Sequence, residues 1–300
     1  MSVTALPASS SSAARRGIVC MSVAVALFTL MDGVIKWLGE AGYPTSQLVF
    51  FRSLFAFLPL SFVVFRGSWR SALRINDWWG HGLRCLCGLA AMGGFFYAYK
   101  LMPLADAIAI GFAAPIFITA LSIPLLGEHV GIRRWSACLV GFAGVLVIVQ
   151  PGPGLLESGA LVCLAATVFY ALAAIAVRRL SRTETNTAII FSFTVTSTVV
   201  SACFLPFEWV TPDLIDLLLL ISLGLIGGTA QIFMTEAFRA TDIAVVMPFE
   251  YTAVLWSVGL SYFVWSYVPG TNFWLGVPLV IVSGAYIAWR EATLRRRGRA

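Results

Sequence analysis

Ten apolar stretches, separated by short polar breaks, run along the chain: 17–38, 45–65, 80–99, 103–126, 132–150, 157–178, 187–206, 215–238, 242–265 and 272–290. A helix needs about 20 apolar residues to cross the hydrocarbon core of a bilayer, and each stretch is near that length. The breaks are too short to hold a soluble domain. The pattern predicts an all-α membrane protein of ten transmembrane helices. The turn Lys100–Asp106 is so short that the third and fourth spans must be antiparallel neighbours. Pro115 stands near the middle of the fourth span and Pro248 within the ninth. A proline removes a backbone hydrogen bond and kinks a helix. In a membrane the freed carbonyl must be satisfied by protein or by a water-lined cavity. Both prolines are therefore expected to act in gating, and the fourth span is the first place to look for a substrate path.

The pattern repeats. Gly17–Leu38 aligns without gaps on Gly159–Leu180, matching Gly17 to Gly159, Phe28 to Tyr170, Lys36 to Arg178 and Leu38 to Leu180. A looser match sets Ala98 and Lys100 on Ala237 and Arg239, and Asp106 on Asp242. Pro115 then falls opposite Tyr251, with Pro248 nearly one turn earlier. Two five-helix repeats are expected, residues 17–151 and 152–290, flanked by a disordered segment 1–16 and a basic tail 291–300. An odd number of spans per repeat forces the second half into the membrane upside down, as in many secondary transporters.

Composition agrees with the pattern and adds an orientation. The chain is 59% hydrophobic and 11% charged, against about 25% charge in soluble domains. Seventeen of the 20 Lys and Arg residues fall at alternate span ends, among them Arg15, Arg16, Arg66, Arg70, Arg74, Arg84, Arg133, Arg134, Arg178 and the arginines from Arg290 on. Lys36 and Lys100 lie at the other ends, and Arg52 lies within a span. By the positive-inside rule both termini are cytoplasmic. The net charge of +6 follows from this asymmetry and from anionic lipid headgroups, and it points to no nucleic-acid partner. The six cysteines are scattered and form neither a disulfide framework nor a metal set. Neither a Walker loop nor a dinucleotide-type glycine motif is present, so no cofactor, metal or ATP-driven step is expected of this chain.

A few polar residues inside the spans could carry chemistry. A carboxylate at the membrane centre costs about 2.5–3.5 kcal/mol on insertion scales, so such groups should face the protein interior. Asp32 and Arg52 lie at similar depth in the first and second spans and are read as a structural or gating pair. Glu250, beside Tyr251 and one turn from Met247, has no basic residue at its depth in its own helix. It is the best candidate for a cavity carboxylate, the alternative being a protonated core glutamate. Gln231, on a glycine-bearing face of the eighth span, is read as ligand or helix glue. Gly88 and Gly93 in the third span, like Gly224, Gly227 and Gly228 in the eighth, are expected to let helices approach closely. Phe28, Tyr99, Phe112 and Tyr170 at mid-depth could line an apolar pocket. His81, at the start of the third span, is a gating or interfacial candidate. His129, beside Glu128, is read as part of a capped turn.

Several of these features together resemble the drug/metabolite transporter superfamily, EamA type. They are ten spans in two halves, Arg52 in LVFFRSLFAFLPL, the run from FYAYKLMPLADA through Pro115 to Glu128 and His129, and Pro248-Phe249-Glu250-Tyr251. Within it the chain is most similar to bacterial amino-acid exporters, including those for aromatic amino acids. The pairing between halves is incomplete: Thr194 stands where Arg52 does, and no glutamate ends the ninth span to match Glu128. The resemblance implies a cavity between spans three, four, eight and nine. It also implies a bacterial inner-membrane exporter of amino acids or similar small metabolites working by alternating access. A nucleobase, polyamine or lipophilic cation is the alternative solute. A membrane-embedded enzyme would need a polar catalytic cluster near one interface, which the two distant histidines do not provide.

Overall fold

The computed structural model describes residues 11–65, 75–126, 132–149, 158–181, 183–240 and 246–297. All regular structure among them is helical. The helices are α1 Ser11–Glu40, α2 Thr45–Phe65, α3 Trp78–Leu101, α4 Leu104–Gly111, α5 Ala114–Leu126, α6 Ile132–Val149, α7 Ser158–Leu180, α8 Asn186–Glu208 and α9 Leu214–Ala240. They are followed by a 3-10 helix Met247–Thr252, α10 Ala253–Trp265 and α11 Thr271–Arg297. When α4 is taken with α5, and the 3-10 helix with α10, these occupy the ten apolar stretches. Among the described residues, five segments are long and apolar enough to cross a membrane: Arg15–Glu40, Leu104–Ser122, Gly159–Leu180, Thr187–Glu208 and Leu214–Ala237. Helix also reaches into both flanking segments, from Ser11 and as far as Arg297, where Ala, Leu and Arg are good helix formers.

Local chemistry sets several of the ends. Asp77 caps α3, its carboxylate accepting from the Gly80 amide at 2.9 Å. Thr185 caps α8 by accepting from the Ala188 amide at 3.1 Å. Each satisfies an amide that the first helical turn leaves unpaired. The fourth span holds a break, not the kinked continuous helix expected at Pro115. Phe112 closes α4, and Pro115 is the second residue of α5. A proline has no amide hydrogen to lose in a first turn, so the chain stops one helix before it and starts another. Pro248 likewise stands in the first turn of the 3-10 helix.

The most extensive helix contacts are α3 on α7 and α1 on α9, followed by α6 on α11 and α2 on α9. Glycines set several of these approaches. A Cβ on Gly94 would meet Cβ of Ala166 in α7, and one on Gly144 would meet the Gly276 carbonyl of α11. Gly224 and Gly228 lie against Phe55, Ala56 and Pro59 of α2. Gly93 does not play the part expected of it, since a Cβ there meets nothing within 4 Å. The neighbouring Gly94 faces α7 instead. The main core gathers Met31, Ile35 and Leu38 of α1, Leu48 and Phe51 of α2, Phe96 of α3 and Leu220 and Leu223 of α9.

Gly224→Val should be strongly destabilising. Its Cβ would lie 2.7 Å from the backbone nitrogen of Ala56, and backbone cannot step aside as a side chain can. Overpacking costs about 1–3 kcal/mol, and the upper end is expected here. Thermal unfolding in detergent checks this against Gly93→Ala, which should hold or raise the melting temperature because alanine is the better helix former.

Candidate functional site

The interior of the bundle collects polar side chains from five helical segments. Asp32 comes from α1, Arg52 from α2, Arg84 and Tyr99 from α3, Tyr170 from α7 and Glu250 from the 3-10 helix. The charges of Asp32 and Arg52 attract one another, and the Tyr99 hydroxyl lies near the Asp32 carboxyl. Arg84 interacts with Arg52 and with Tyr170. Glu250 in turn acts on Tyr170 and on Tyr251. Asp32, Arg52, Arg84 and Glu250 are all half-buried, and Tyr170 is 51% exposed. Side chains that keep accessible surface while protein surrounds them line an interior recess; a packed core would leave them none.

The broken fourth segment and the 3-10 helix meet beside this cluster. The rings of Phe112, at the end of α4, and Tyr251, in the 3-10 helix, lie 5.1 Å apart at a tilt of 46°. A side chain at Gly284 of α11 would strike the Tyr251 hydroxyl and approach Cγ of Pro115. Residues matched by the repeat, Pro115 and Tyr251, thus share one neighbour. A stretch of 3-10 helix inside a longer helical segment commonly marks a hinge.

The other predicted residues are spread more widely. Tyr99 is buried and stacks on Phe95 at 6.3 Å, and Phe28 packs half-buried against the main core. Gln231 is half-buried in α9, where its backbone carbonyl accepts from Thr235 Oγ1. The side chains of Met247 and Pro248 lie outside those described, as do Glu128 and His129. His81 lies one turn before Arg84, near the N-terminus of α3, and its partners are outside the cluster. Its Nδ1 is 2.7 Å from the Ser192 hydroxyl and its Nε2 is 3.9 Å from Glu184 Oε2.

Sequence reasoning missed three arrangements. Arg84, counted there with the basic ends of the spans, lies inside the bundle with its guanidinium 3.8 Å from the Phe193 ring centroid of α8. Lys36 is 6% exposed and reaches across to the end of α3, donating to the carbonyls of Tyr99 at 3.0 Å and Met102 at 3.1 Å. The same end of the bundle holds other ties between segments. Trp265 Nε1 donates to Glu40 at 2.6 Å, the Tyr267 hydroxyl to Asp106 at 2.6 Å, and Gln47 Nε2 to the Val210 carbonyl at 2.8 Å. The Tyr43 hydroxyl donates to Asp216 at 2.8 Å. Burial and that carboxylate push the Tyr43 phenol up to about 12.

The third arrangement closes the opposite end. Glu184 accepts from the backbone amides of Asn76 at 2.7 Å and Asp77 at 2.9 Å. Burial pushes its carboxyl up, but these amides and the nearby His81 outweigh burial and hold it below its ordinary 4.5. A carboxyl whose folded value is depressed contributes stability above its unfolded value and loses it as pH falls through the folded one. The contribution should therefore be complete at neutral pH and vanish as the pH drops below 4.5. Melting curves from pH 7 to pH 3 should show a gap between wild type and Glu184→Ala that narrows on acidification. A gap that stays constant would mean that the carboxylate charge does not hold the latch.

An apolar helical bundle with opposite charges set in its interior is that of a multi-pass membrane protein. The EamA-like transporter family matches residues 15–150 and again residues 157–289, and the chain belongs to that family. It is 26% identical over 276 residues to an S-adenosylmethionine uptake transporter of Rickettsia prowazekii, covering 92% of this chain and 93% of that one. A riboflavin transporter of Rhizobium johnstonii is 26% identical, with 94% of this chain and 93% of that protein covered. A pseudopaline exporter of Pseudomonas aeruginosa is 28% identical, with 90% and 94% covered. One solved crystal structure superposes with a TM-score of 0.62 at 24% identity, over 94% of this chain and 99% of that one, and it supports the fold.

Proposed function

We propose that the chain is a secondary transporter that exports amino acids or similar small metabolites across the bacterial inner membrane by alternating access, with both termini cytoplasmic. The observation that carries this reading is the interior cluster of opposite charges beside a broken helical segment and a stretch of 3-10 helix. Inverted five-helix repeats account for the packing. Exchanging α1 with α7 and α3 with α9 turns the α3–α7 contact into the α1–α9 contact, and these are the two most extensive in the molecule. The α6–α11 contact maps onto itself. In this reading Glu250, Tyr251, Phe112, Tyr170 and Tyr99 line the solute site, with Gln231 and Phe28 at its margins. Asp32, Arg52, Pro115, Pro248 and His81 serve the movement between states. The ties around Lys36, Asp106 and Gln47 close the periplasmic end.

The amino-acid class has support from the relative named for S-adenosylmethionine, itself an amino-acid derivative. A flat heterocyclic solute has support from the relative named for riboflavin. Counterflow of labelled amino acids, S-adenosylmethionine and riboflavin into proteoliposomes tests the reading. Uphill exchange of an unmodified solute is expected. A chemically altered product would replace transport by catalysis.

A further inference from the structure

We propose that Arg84 receives the carboxylate of a zwitterionic, amino-acid-type solute, with the Asp32-paired Arg52 adding positive charge beside it and Glu250 taking the ammonium. The assignment rests on the transport reading above and gives it a solute class. Nε and Nη1 of Arg84 and Nε of Arg52 are enclosed, yet none of them donates to an acceptor among the described residues. A buried guanidinium donor without an acceptor is unfavourable, and such a group calls for a specific explanation. The face of the Arg84 guanidinium is occupied by Phe193, a cation–π contact at 3.8 Å. That contact satisfies the face and leaves the in-plane N–H edge, the edge that grips a carboxylate in bidentate fashion.

Glycines keep these edges clear. A Cβ at Gly88, one turn along α3, would lie 2.7 Å from Arg84 Nη1, and one at Gly227 would lie 3.6 Å from Arg52 Nε. The charges around the two arginines are unequal. Arg52 is balanced by Asp32. The groups acting on Arg84 are Cys85, Arg52 and Tyr170, with no carboxylate among them. Two guanidiniums that repel across one interior are best reconciled by an anion between them. Tyr170 feels the charges of both Arg84 and Glu250, so one phenol is within electrostatic reach of a cation and an anion. A doubly charged phosphate would suit the first and be repelled by the second. A zwitterion suits both.

The test uses full-length protein in proteoliposomes. Counterflow of labelled phenylalanine, methionine and S-adenosylmethionine identifies a carried solute. Unlabelled phenylalanine, phenylalaninamide and phenyl phosphate then compete with it. Wild type should prefer the acid to its amide at least about tenfold, the size expected for a charge-assisted pair. Arg84→Gln should bring that ratio to near one, and Arg84→Lys should keep part of it. Gly88→Ala crowds Nη1 without removing charge and should lower the ratio in a folded protein, so the outcome does not depend on Arg84→Gln folding. Transport with equal competition by acid and amide, or an unchanged ratio in both Arg84→Gln and Gly88→Ala, overturns the arginine site and leaves the transport reading intact. Stronger competition by phenyl phosphate than by phenylalanine overturns the zwitterion assignment. Absence of counterflow for the whole panel overturns amino-acid transport, and this site with it.

Discussion

Glu250→Gln is expected to weaken apparent affinity for a transported amino acid about ten- to a hundredfold while leaving the melting temperature close to wild type. Glu250 belongs to the 3-10 helix, so it is carried on the irregular part of its segment. It stands beside Tyr251, which packs on Phe112 at 5.1 Å, and its charge reaches Tyr170 across the recess. A charge-assisted hydrogen bond from an ammonium to a carboxylate is worth about 1.5–3 kcal/mol, and each 1.4 kcal/mol is about tenfold in affinity. Glutamine keeps the shape and an acceptor oxygen but not the charge, and a neutral amide is no costlier to bury. The opposite result is equally readable. If Glu250 is a neutral core group that bonds only protein, the glutamine variant keeps its affinity and shows any defect as lost stability. Counterflow and a melting curve on the same preparation separate the two.

How much of this was legible in the sequence depended on the range of the interaction. The apolar stretch 45–65 became α2 Thr45–Phe65 with the same bounds, because run length is local information. The break in the fourth span was legible as a proline, although the chain placed it at Phe112 and Ala113 to give Pro115 a first-turn position. Rotation of a helix about its own axis was not legible. Gly93 and Gly94 differ by about 100° around a helix, and only the packed partner Ala166 decides which of them faces inward. Phe112 and Tyr251 could each be singled out as aromatic residues near a proline, but nothing local says that their rings meet. Arg84 was misplaced for the same reason. A basic residue near a span end reads as a topology signal until Phe193, more than a hundred positions away, is folded against it. The Glu184 carboxylate and the Asn76 and Asp77 amides are likewise joined only by the fold.

Lys36→Met is expected to be the most destabilising single exchange considered, about 3–5 kcal/mol, the range found when one partner of a buried charged contact is removed. The ammonium lies over the Trp265 ring at 5.5 Å and donates to Glu40 at 2.7 Å as well as to the Tyr99 and Met102 carbonyls. Those carbonyls belong to the end of α3 and the residue after it. The last carbonyls of a helix have no partner within it, and a cation there also complements the helix dipole. One side chain of α1 therefore finishes α3 and fixes the angle between them. Methionine has similar length and packs well, so the loss reports the ammonium and not a cavity. Glu40 supplies the control. Its side chain is 41% exposed, and an exposed ion pair contributes about 0–1 kcal/mol. Glu40→Gln should therefore shift the melting temperature little, while Lys36→Met lowers it by on the order of 10 °C. Equal shifts in the two variants would assign the effect to the surface pair and remove the clamp on α3. If the clamp also closes the periplasmic end, Lys36→Met proteoliposomes should leak preloaded solute faster than wild type at a temperature where both remain folded.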